Sequence, residues 1–230
     1  MKQKIYSLWR ENKSFCIFVV LMMIFRSALA DWNTVPTGSM KPTIIEGDRI
    51  AVNKIAYDLR IPFTHISLAT FAQPERGDIV VFDSKAADKR LVKRLIGLPG
   101  DIVAMNNNQL SINGQLISYD AVADDKYDST TANSTTTNST VDKIEHLFNT
   151  DHRIRISNPN NHNFANFPPV EVPTNHYLML GDNRDNSADS RVIGFVPREE
   201  IIGRASNLVM SFDYDNYYLP RSNRYLQALK

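Results

Sequence analysis

Short apolar runs separated by turn residues dominate the chain after residue 30, and they limit its fold more than any other feature. Runs of strand length, rich in valine and isoleucine, occur at Arg49–Ile55, Asp78–Phe82, Leu91–Ile96, His176–Leu180, Val192–Val196 and Ile201–Met210. An Asn-Gly turn between two alternating segments predicts a hairpin over Leu110–Ile117. No long amphipathic helical pattern follows Ala30. We therefore predict that the chain after Ala30 is mainly β.

One strongly apolar run, Phe15–Phe25, precedes this domain and follows a basic N-terminal flank. It has two interpretations. The first is a cleavable signal peptide that ends at Ala28-Leu29-Ala30. The second is a transmembrane anchor over residues 14–30, with the Arg26 side chain extended to the lipid head groups and Trp32 at the interface.

We favour the anchor, because Arg26 fits poorly in a cleavage region. Positively charged flanks remain in the cytoplasm. This rule predicts a cytoplasmic segment over residues 1–13 and an extracytoplasmic domain over residues 31–230. We therefore expect a single-pass protein of the inner (plasma) membrane, in contact with the lipid bilayer.

Composition argues against several other functions. A formal net charge of +1 gives no basis for nucleic-acid binding. The single cysteine, Cys16, cannot form an internal disulfide. No spacing typical of metal ligands occurs, so we predict neither a metal nor a cofactor.

Three connecting segments carry weaker signals. A Ser/Thr/Asn-rich stretch predicts a polar insertion at about residues 120–150. Asn158–Pro169 is predicted to be an irregular connection. Ile61–Ile66 is apolar and contains a proline, which favours a buried edge segment; the alternative is an apolar lip that dips into a membrane.

Two residues are candidates for nucleophilic catalysis. Ser39 lies between Gly38 and a Met-Lys-Pro turn, where its hydroxyl can be held out on a loop. A serine needs a base to take its proton. Of the five histidines, His176 is the best placed, although a surface or capping role fits it better.

Lysine is the other type of base, and Lys93 lies within the apolar run Leu91–Ile96. Strand alternation puts it on the same face as Leu91 and Leu95. One interpretation is an edge-strand lysine that prevents aggregation. The other is a lysine turned inward, whose pKa burial lowers from about 10.4 to near 8, at a cost of roughly 3 kcal/mol to the charged form.

A dense polar block, Gly181–Arg191, mixes five formal charges with asparagines and serines in eleven residues. It is either a solvated loop or a hydrogen-bonded network, and we favour the network because aspartate and arginine can pair bidentately. Four blocks in order resemble the type I signal peptidases, membrane-bound Ser-Lys proteases. They are Thr37–Ile44, Gly77–Phe82, Val92–Asp101 and Gly181–Arg191.

The resemblance implies roles for individual residues. It makes Ser39 the nucleophile and Lys93 the general base. The hydroxyl of Thr37, where many bacterial relatives have serine, would join the Ser39 N–H in stabilising the oxyanion. Ser187 would orient the lysine. The members of the polar block that would support the site structurally are Asp182, Arg184, Asp189 and Arg191.

The resemblance also implies a fold and an activity. The fold would be the antiparallel β-sheet catalytic domain of the signal peptidases, after one transmembrane helix. The activity would be removal of signal peptides from exported preproteins after small residues of the Ala-x-Ala type, and we expect a monomer. Two alternatives remain: a processing peptidase of the same fold dedicated to a pilin or another single substrate, and an exported β-domain that binds a partner without catalysis.

Overall fold

The computed structural model describes residues 2–64, 66–122, 140–157 and 164–229, with side chains from residue 12 onward. A helix, α1, spans Lys2–Ala28, and a helical turn, α2, spans Ser190–Ile193. The strands in chain order are β1 (Ala30–Thr34), β2 (Asp48–Asn53), β3 (Asp58–Arg60), β4 (Ser67–Thr70), β5 (Ile79–Ser84), β6 (Lys89–Gly97), β7 (Ile102–Asn106), β8 (Gln109–Ile112), β9 (Gln115–Leu116), β10 (Ser118–Ala121), β11 (Thr140–Leu147), β12 (Thr150–Ser157), β13 (Phe167–Glu171), β14 (His176–Leu180), β15 (Val196–Pro197), β16 (Ile201–Asp213) and β17 (Leu219–Ala228).

The strands of the described residues form a large sheet and three smaller ones, and all their pairings are antiparallel. The large sheet has eight strands in the order β1-β2-β16-β5-β6-β14-β15, with β17 beside β16. The smaller sheets are β13-β7-β8-β9, β10-β11-β12 and the hairpin β3-β4. The predicted mainly β fold is therefore confirmed, and strands cover all but one of the predicted runs.

The exception is the strand predicted at Val192–Val196, which is wrong. The Asp189 side chain accepts a hydrogen bond from the Arg191 N–H and starts the helical turn α2 there. Gly194, at φ 80°, ends it, so only Val196 and Pro197 are left to pair with β14.

Two of the predicted connections need comment. Residues 123–139 of the polar insertion and 158–163 of the irregular connection lie outside the described residues. Strands β10 and β11, on either side of the first gap, pair with each other. The second connection is not irregular throughout, because Phe167–Glu171 pairs with β7 as strand β13.

Buried apolar side chains place two elements against the large sheet. Ile96 and Leu178 on the large sheet pack with Val103 and Leu110 on the sheet formed by β7 and β8. The loop between β1 and β2 packs separately, with Val35, Met40 and Ile44 against side chains of β2, β5 and β16. The loop that carries Ser39 is thus held by the core on both sides of the serine.

The end of α1 is tied to the β domain by specific contacts. Lys54 Nζ donates hydrogen bonds to the carbonyls of Arg26, at 2.8 Å, and Ser27, at 3.3 Å. Arg26 contacts the Asp31 carboxylate at 2.6 Å and stacks over the Trp32 ring at 4.8 Å. Within the described part of the chain, no helix combines the length and apolar character that crossing a membrane requires.

The expectation that Ile61–Ile66 is a buried edge is wrong. This segment joins β3 to β4, and Phe63 and Ile66 are 73% and 61% exposed. Two further apolar residues on the hairpin and just after it, Leu68 and Phe71, are also exposed. The Phe63 N–H donates to Ser27 Oγ at 2.7 Å, so the exposed tip lies beside the C-terminal turn of α1.

Candidate active site

Ser39 and Lys93, 54 positions apart in the chain, meet at the boundary between the first loop and the large sheet. The Lys93 Nζ lies 2.6 Å from the Ser39 Oγ, a short hydrogen bond. Ser39 is half-buried, whereas Lys93 is only 2% exposed. The pair therefore combines an accessible hydroxyl with a nearly water-free amine.

Burial sets the protonation of this lysine. It lowers the pKa of Lys93 to about 8, because the charged form loses its hydration, while the Asp189 and Asp182 carboxylates oppose that shift. An amine with this pKa is partly neutral near neutral pH and can accept a proton. Such an amine, hydrogen-bonded to a serine, is chemically able to activate the hydroxyl as a nucleophile.

The neighbouring residue, Arg94, is also fully buried, and the sequence did not identify its role. Its guanidinium forms a bidentate pair with Asp182, at 2.8 and 2.7 Å, and donates to the Gly77 carbonyl at 2.9 Å. Burial alone would raise the pKa of Asp182, but the charge and hydrogen bonds of Arg94, together with His152 and Thr43, outweigh it and hold that pKa below its usual range. Thr43, in the loop after Ser39, donates to the same carboxylate at 2.5 Å.

The polar block Gly181–Arg191 holds the loop that carries Ser39 through hydrogen bonds to the backbone carbonyls of that loop. The Asn183 N–H donates to the Ser39 carbonyl at 3.1 Å, and its side-chain amide donates to the Gly38 carbonyl at 2.9 Å. At Gly181 a Cβ would lie 2.5 Å from the Ser39 carbonyl oxygen and 2.2 Å from the Ser187 Oγ, so only glycine fits. Asn183 and Gly181 are therefore positioning residues, and the sequence analysis assigned no role to either.

The members of the block pair more widely than local spacing suggests. Asp189 pairs bidentately with Arg191, at 2.8 and 2.7 Å, and its carboxylate accepts the Gly181 N–H at 2.9 Å. Arg184 instead contacts Glu145 on β11 at 2.5 Å. Only one of the two arginines thus pairs inside the block, and the other joins the block to the sheet of β10, β11 and β12.

Glu145 is the centre of this second contact and was missed by the sequence analysis. Tyr119 donates to its carboxylate at 2.8 Å, and the buried His152 ring lies 3.1 Å away. Burial would raise the pKa of Glu145, but the charges and hydrogen bonds of Arg184 and His152 together outweigh it, lower that pKa and keep the carboxyl ionised. Its position in an ordinary alternating strand gave no signal of this role.

The remaining candidates lie around the pair with fewer contacts. Thr37 is exposed beside Ser39. The Ser39 N–H has no acceptor among the described residues, which leaves it available to a ligand.

Ser187 is buried in the block, but its hydroxyl forms no hydrogen bond of ordinary geometry with any described residue, so its contact with Lys93 stays a prediction. His176 instead contacts the Thr174 carbonyl at 2.9 Å.

A cleft of about 460 Å³ opens beside Ser39 and Lys93. Residues 33–40 form one wall and residues 89–93 of β6 form the other, with Asn186 and Ala188 at the block. β14 pairs with β6 only from Arg94 to Gly97, so the other backbone edge of residues 89–93, opposite β5, has no partner strand among the described residues. An extended peptide can therefore add to this edge as a further strand.

No group of His, Cys, Asp and Glu side chains that could hold a metal ion occurs in the described ranges. A serine, a desolvated lysine and a free backbone amide facing a peptide-sized cleft suit acyl transfer.

Comparison with known proteins agrees with this chemistry. The model of the family "Signal peptidase, peptidase S26" matches residues 8–210. Signal peptidase I of Pseudomonas aeruginosa is 34% identical over 216 residues, which cover 87% of this chain and 72% of that protein. Signal peptidase I of Rickettsia typhi is 36% identical over 219 residues, which cover 85% and 78%. The crystal structure of a signal peptidase I from Enterococcus faecalis V583 is 29% identical, with a TM-score of 0.35, and covers 60% of this chain and 100% of that one.

The family model covers most of the chain, and the two relatives match over most of their own length. This chain is therefore a serine endopeptidase, and it belongs to the signal peptidase family, peptidase S26.

Replacing Arg94 with methionine should lower the free energy of unfolding by about 3–5 kcal/mol, because it leaves the buried Asp182 carboxylate without its counter-ion. Arg90 is the matched control on the same strand, since it pairs with Asp83 at the surface and Arg90→Met should cost at most about 1 kcal/mol. Chemical denaturation of the full-length protein in detergent measures both. Equal losses for the two variants would contradict the supporting role of Arg94.

Proposed function

We propose that this protein is a membrane-bound endopeptidase that removes N-terminal signal peptides from exported preproteins, with Ser39 as nucleophile and Lys93 as general base. The observation that carries the proposal is the 2.6 Å contact between a buried amine and an accessible hydroxyl. Family membership supplies the class of reaction.

The mechanism follows from the positions of these groups. The neutral Lys93 amine takes the Ser39 proton as Oγ attacks the scissile carbonyl carbon. The Ser39 N–H and the Thr37 hydroxyl stabilise the oxyanion. The Lys93 ammonium then protonates the leaving amine. A water molecule, deprotonated by the same lysine, hydrolyses the acyl-enzyme and releases the signal peptide.

The electrostatic surroundings suit both directions of proton transfer. Burial keeps the lysine neutral enough to accept a proton, and the Asp189 and Asp182 carboxylates stabilise the ammonium that forms. Asp182 and Asp189 are held by Arg94 and Arg191, so they act on the lysine as fixed charges. We assign Asp182, Arg184, Asp189 and Arg191 to supporting the site, and Ser187 to orienting the lysine.

The free edge of β6 supports the choice of substrate. A peptide that pairs with residues 89–93 lies extended, so alternate side chains face the walls of the cleft. Next to Ser39 those walls are built from the small residues Gly38 and Ala188 and from Pro36. We infer that they leave shallow pockets suited to small residues before the scissile bond, of the Ala-x-Ala type.

We further propose that residues 14–30 anchor the protein in the inner (plasma) membrane, with residues 1–13 in the cytoplasm and the catalytic domain, 31–230, outside. Phe15, Phe18 and Leu21 expose 66%, 60% and 58% of their surface, so they have no protein partner that would cover them. The exposed tip between β3 and β4 lies beside the end of this segment and adds exposed apolar surface next to it.

Cleavage by the wild-type protein should increase with pH and level off above a pKa of about 8, because only neutral Lys93 accepts the serine proton. The measurement is kcat/KM against pH for a preprotein with Ala-x-Ala before its mature start.

Lys93→Ala and Ser39→Ala should both be inactive but folded. Appreciable cleavage by either variant would exclude the dyad, whereas a folded wild type that cleaves only one of a panel of precursors would favour a dedicated processing peptidase.

Thr37→Val should reduce kcat by a factor that corresponds to about 2–4 kcal/mol, the effect of losing one oxyanion donor, with little change in KM. Valine keeps the branched shape of threonine and removes only the hydroxyl. Thr37→Ser serves as the control and should retain activity. An unchanged kcat in the valine variant would show that Thr37 is not the donor.

Alkaline extraction of membranes should leave the full-length protein in the pellet. High pH breaks the electrostatic contacts that hold peripheral proteins, but it does not release a segment inserted in the bilayer. Immunoblotting with an antibody against the C-terminal part identifies the fragment. Release of a species that begins at Asp31 would instead support a cleaved signal peptide.

A further inference from the structure

Lys89 is a second lysine on the cleft wall formed by β6, and the proposed mechanism gives it no role. It lines the cleft four residues before Lys93. Because side chains alternate along a strand, residues 89, 91 and 93 project from the same face. At about 3.3 Å per residue, the two lysines lie roughly 13 Å apart along the strand.

Lys89 differs from the other basic residues of the cleft in having no side-chain partner among the described residues. Lys93 contacts Ser39, and Arg90 pairs with Asp83 at 2.8 Å. Lys89 is exposed and forms no ion pair with any described residue. A long, solvated cation is therefore available to a ligand in the cleft.

The walls of the cleft supply no negative charge. Of the described residues that line it, three are basic and none is an aspartate or a glutamate. A cleft of one sign, partly enclosed by low-dielectric walls, attracts groups of the opposite sign and repels those of its own. The protonated Lys93 feels the same field, since the Lys89 charge adds to burial in lowering the pKa of Lys93.

We propose that Lys89 is a specificity-determining residue that favours an acidic side chain, and disfavours a basic one, at about the fourth to sixth substrate residue before the scissile bond. The inference rests on the proposed function. The spacing follows from an extended peptide whose reacting carbonyl lies at Ser39 and whose acyl half pairs along β6 toward Lys89. We expect an exposed pair between Lys89 and an acidic substrate residue to raise kcat/KM by about two- to five-fold relative to a neutral residue. A basic residue at the same position should lower kcat/KM by a similar factor.

The test is a series of peptides with Ala-x-Ala before the cleaved bond and Asp, Asn or Lys placed in turn at each position from fourth to eighth before it. The full-length protein in detergent is assayed for kcat/KM at low and high salt. Wild type should cleave the Asp peptides with a higher kcat/KM than the Lys peptides. The ratio of these two values should be largest at the fourth to sixth positions, and 0.5 M salt should reduce it toward one.

Two variants isolate the charge of Lys89. Lys89→Gln should remove the preference, and Lys89→Glu should reverse it, while both still cleave the Asn peptides. Both should also move the midpoint of the pH–rate profile upward, because the repulsion on protonated Lys93 is lost. Lys85→Gln is the matched control: this exposed lysine pairs with Glu199 outside the cleft, and its removal should change neither measurement.

The outcomes separate the two proposals. No cleavage of any peptide by the folded wild type would reject the proposed function itself. If both wild type and Lys89→Gln cleave all peptides, and the ratio of kcat/KM for the Asp peptides to kcat/KM for the Lys peptides is the same in both, the role of Lys89 is overturned and the proposed function still stands. A preference that is largest at the seventh or eighth position before the bond would also overturn it.

Discussion

The site depends on how one strand buries two adjacent cations. Lys93 and Arg94 are both almost inaccessible on β6, yet their surroundings are opposite. An arginine cannot lose its proton in a protein, so it is buried only with compensation, and Arg94 has the Asp182 carboxylate and the Gly77 carbonyl. A lysine can become neutral, and Lys93 faces a hydroxyl without a carboxylate in direct contact. The same strand thus provides a structural charge and a group that can exchange protons.

Asp182 and its neighbours link this arrangement to Ser39. Asp182 binds Arg94 on one side and Thr43 of the Ser39 loop on the other. Asn183, the next residue, holds the two carbonyls on either side of the Gly38–Ser39 bond. When these carbonyls are fixed, the Ser39 N–H is fixed as well, and this N–H has no acceptor among the described residues. A dipole oriented before the reaction stabilises developing charge without reorganisation, which is where we expect the polar block to contribute most.

The sequence predicted the parts of this site that depend on local pattern. Valine-rich runs predicted the strands of the large sheet, and an apolar setting singled out Lys93. It could not predict contacts that depend on how distant segments pack. The sequence suggested that aspartates and arginines of the polar block would pair with each other. The fold instead brings Arg94, 88 positions away, to Asp182 and Glu145, 39 positions away, to Arg184. The sequence also favoured burial for Phe63, because apolar composition alone does not tell a core segment from an exposed tip.

A buried lysine and an open cleft make competing demands, and the free edge of β6 reconciles them. The amine needs a dry environment to stay neutral, but a substrate must reach the serine beside it. The edge at residues 89–93, which has no partner strand in the described part of the chain, would let a peptide enter as a strand. A bound peptide of the proposed kind would therefore displace water from the cleft as it positions its carbonyl. Substrate residues several positions from the scissile bond would then affect the pKa of Lys93, and hence kcat, as well as binding.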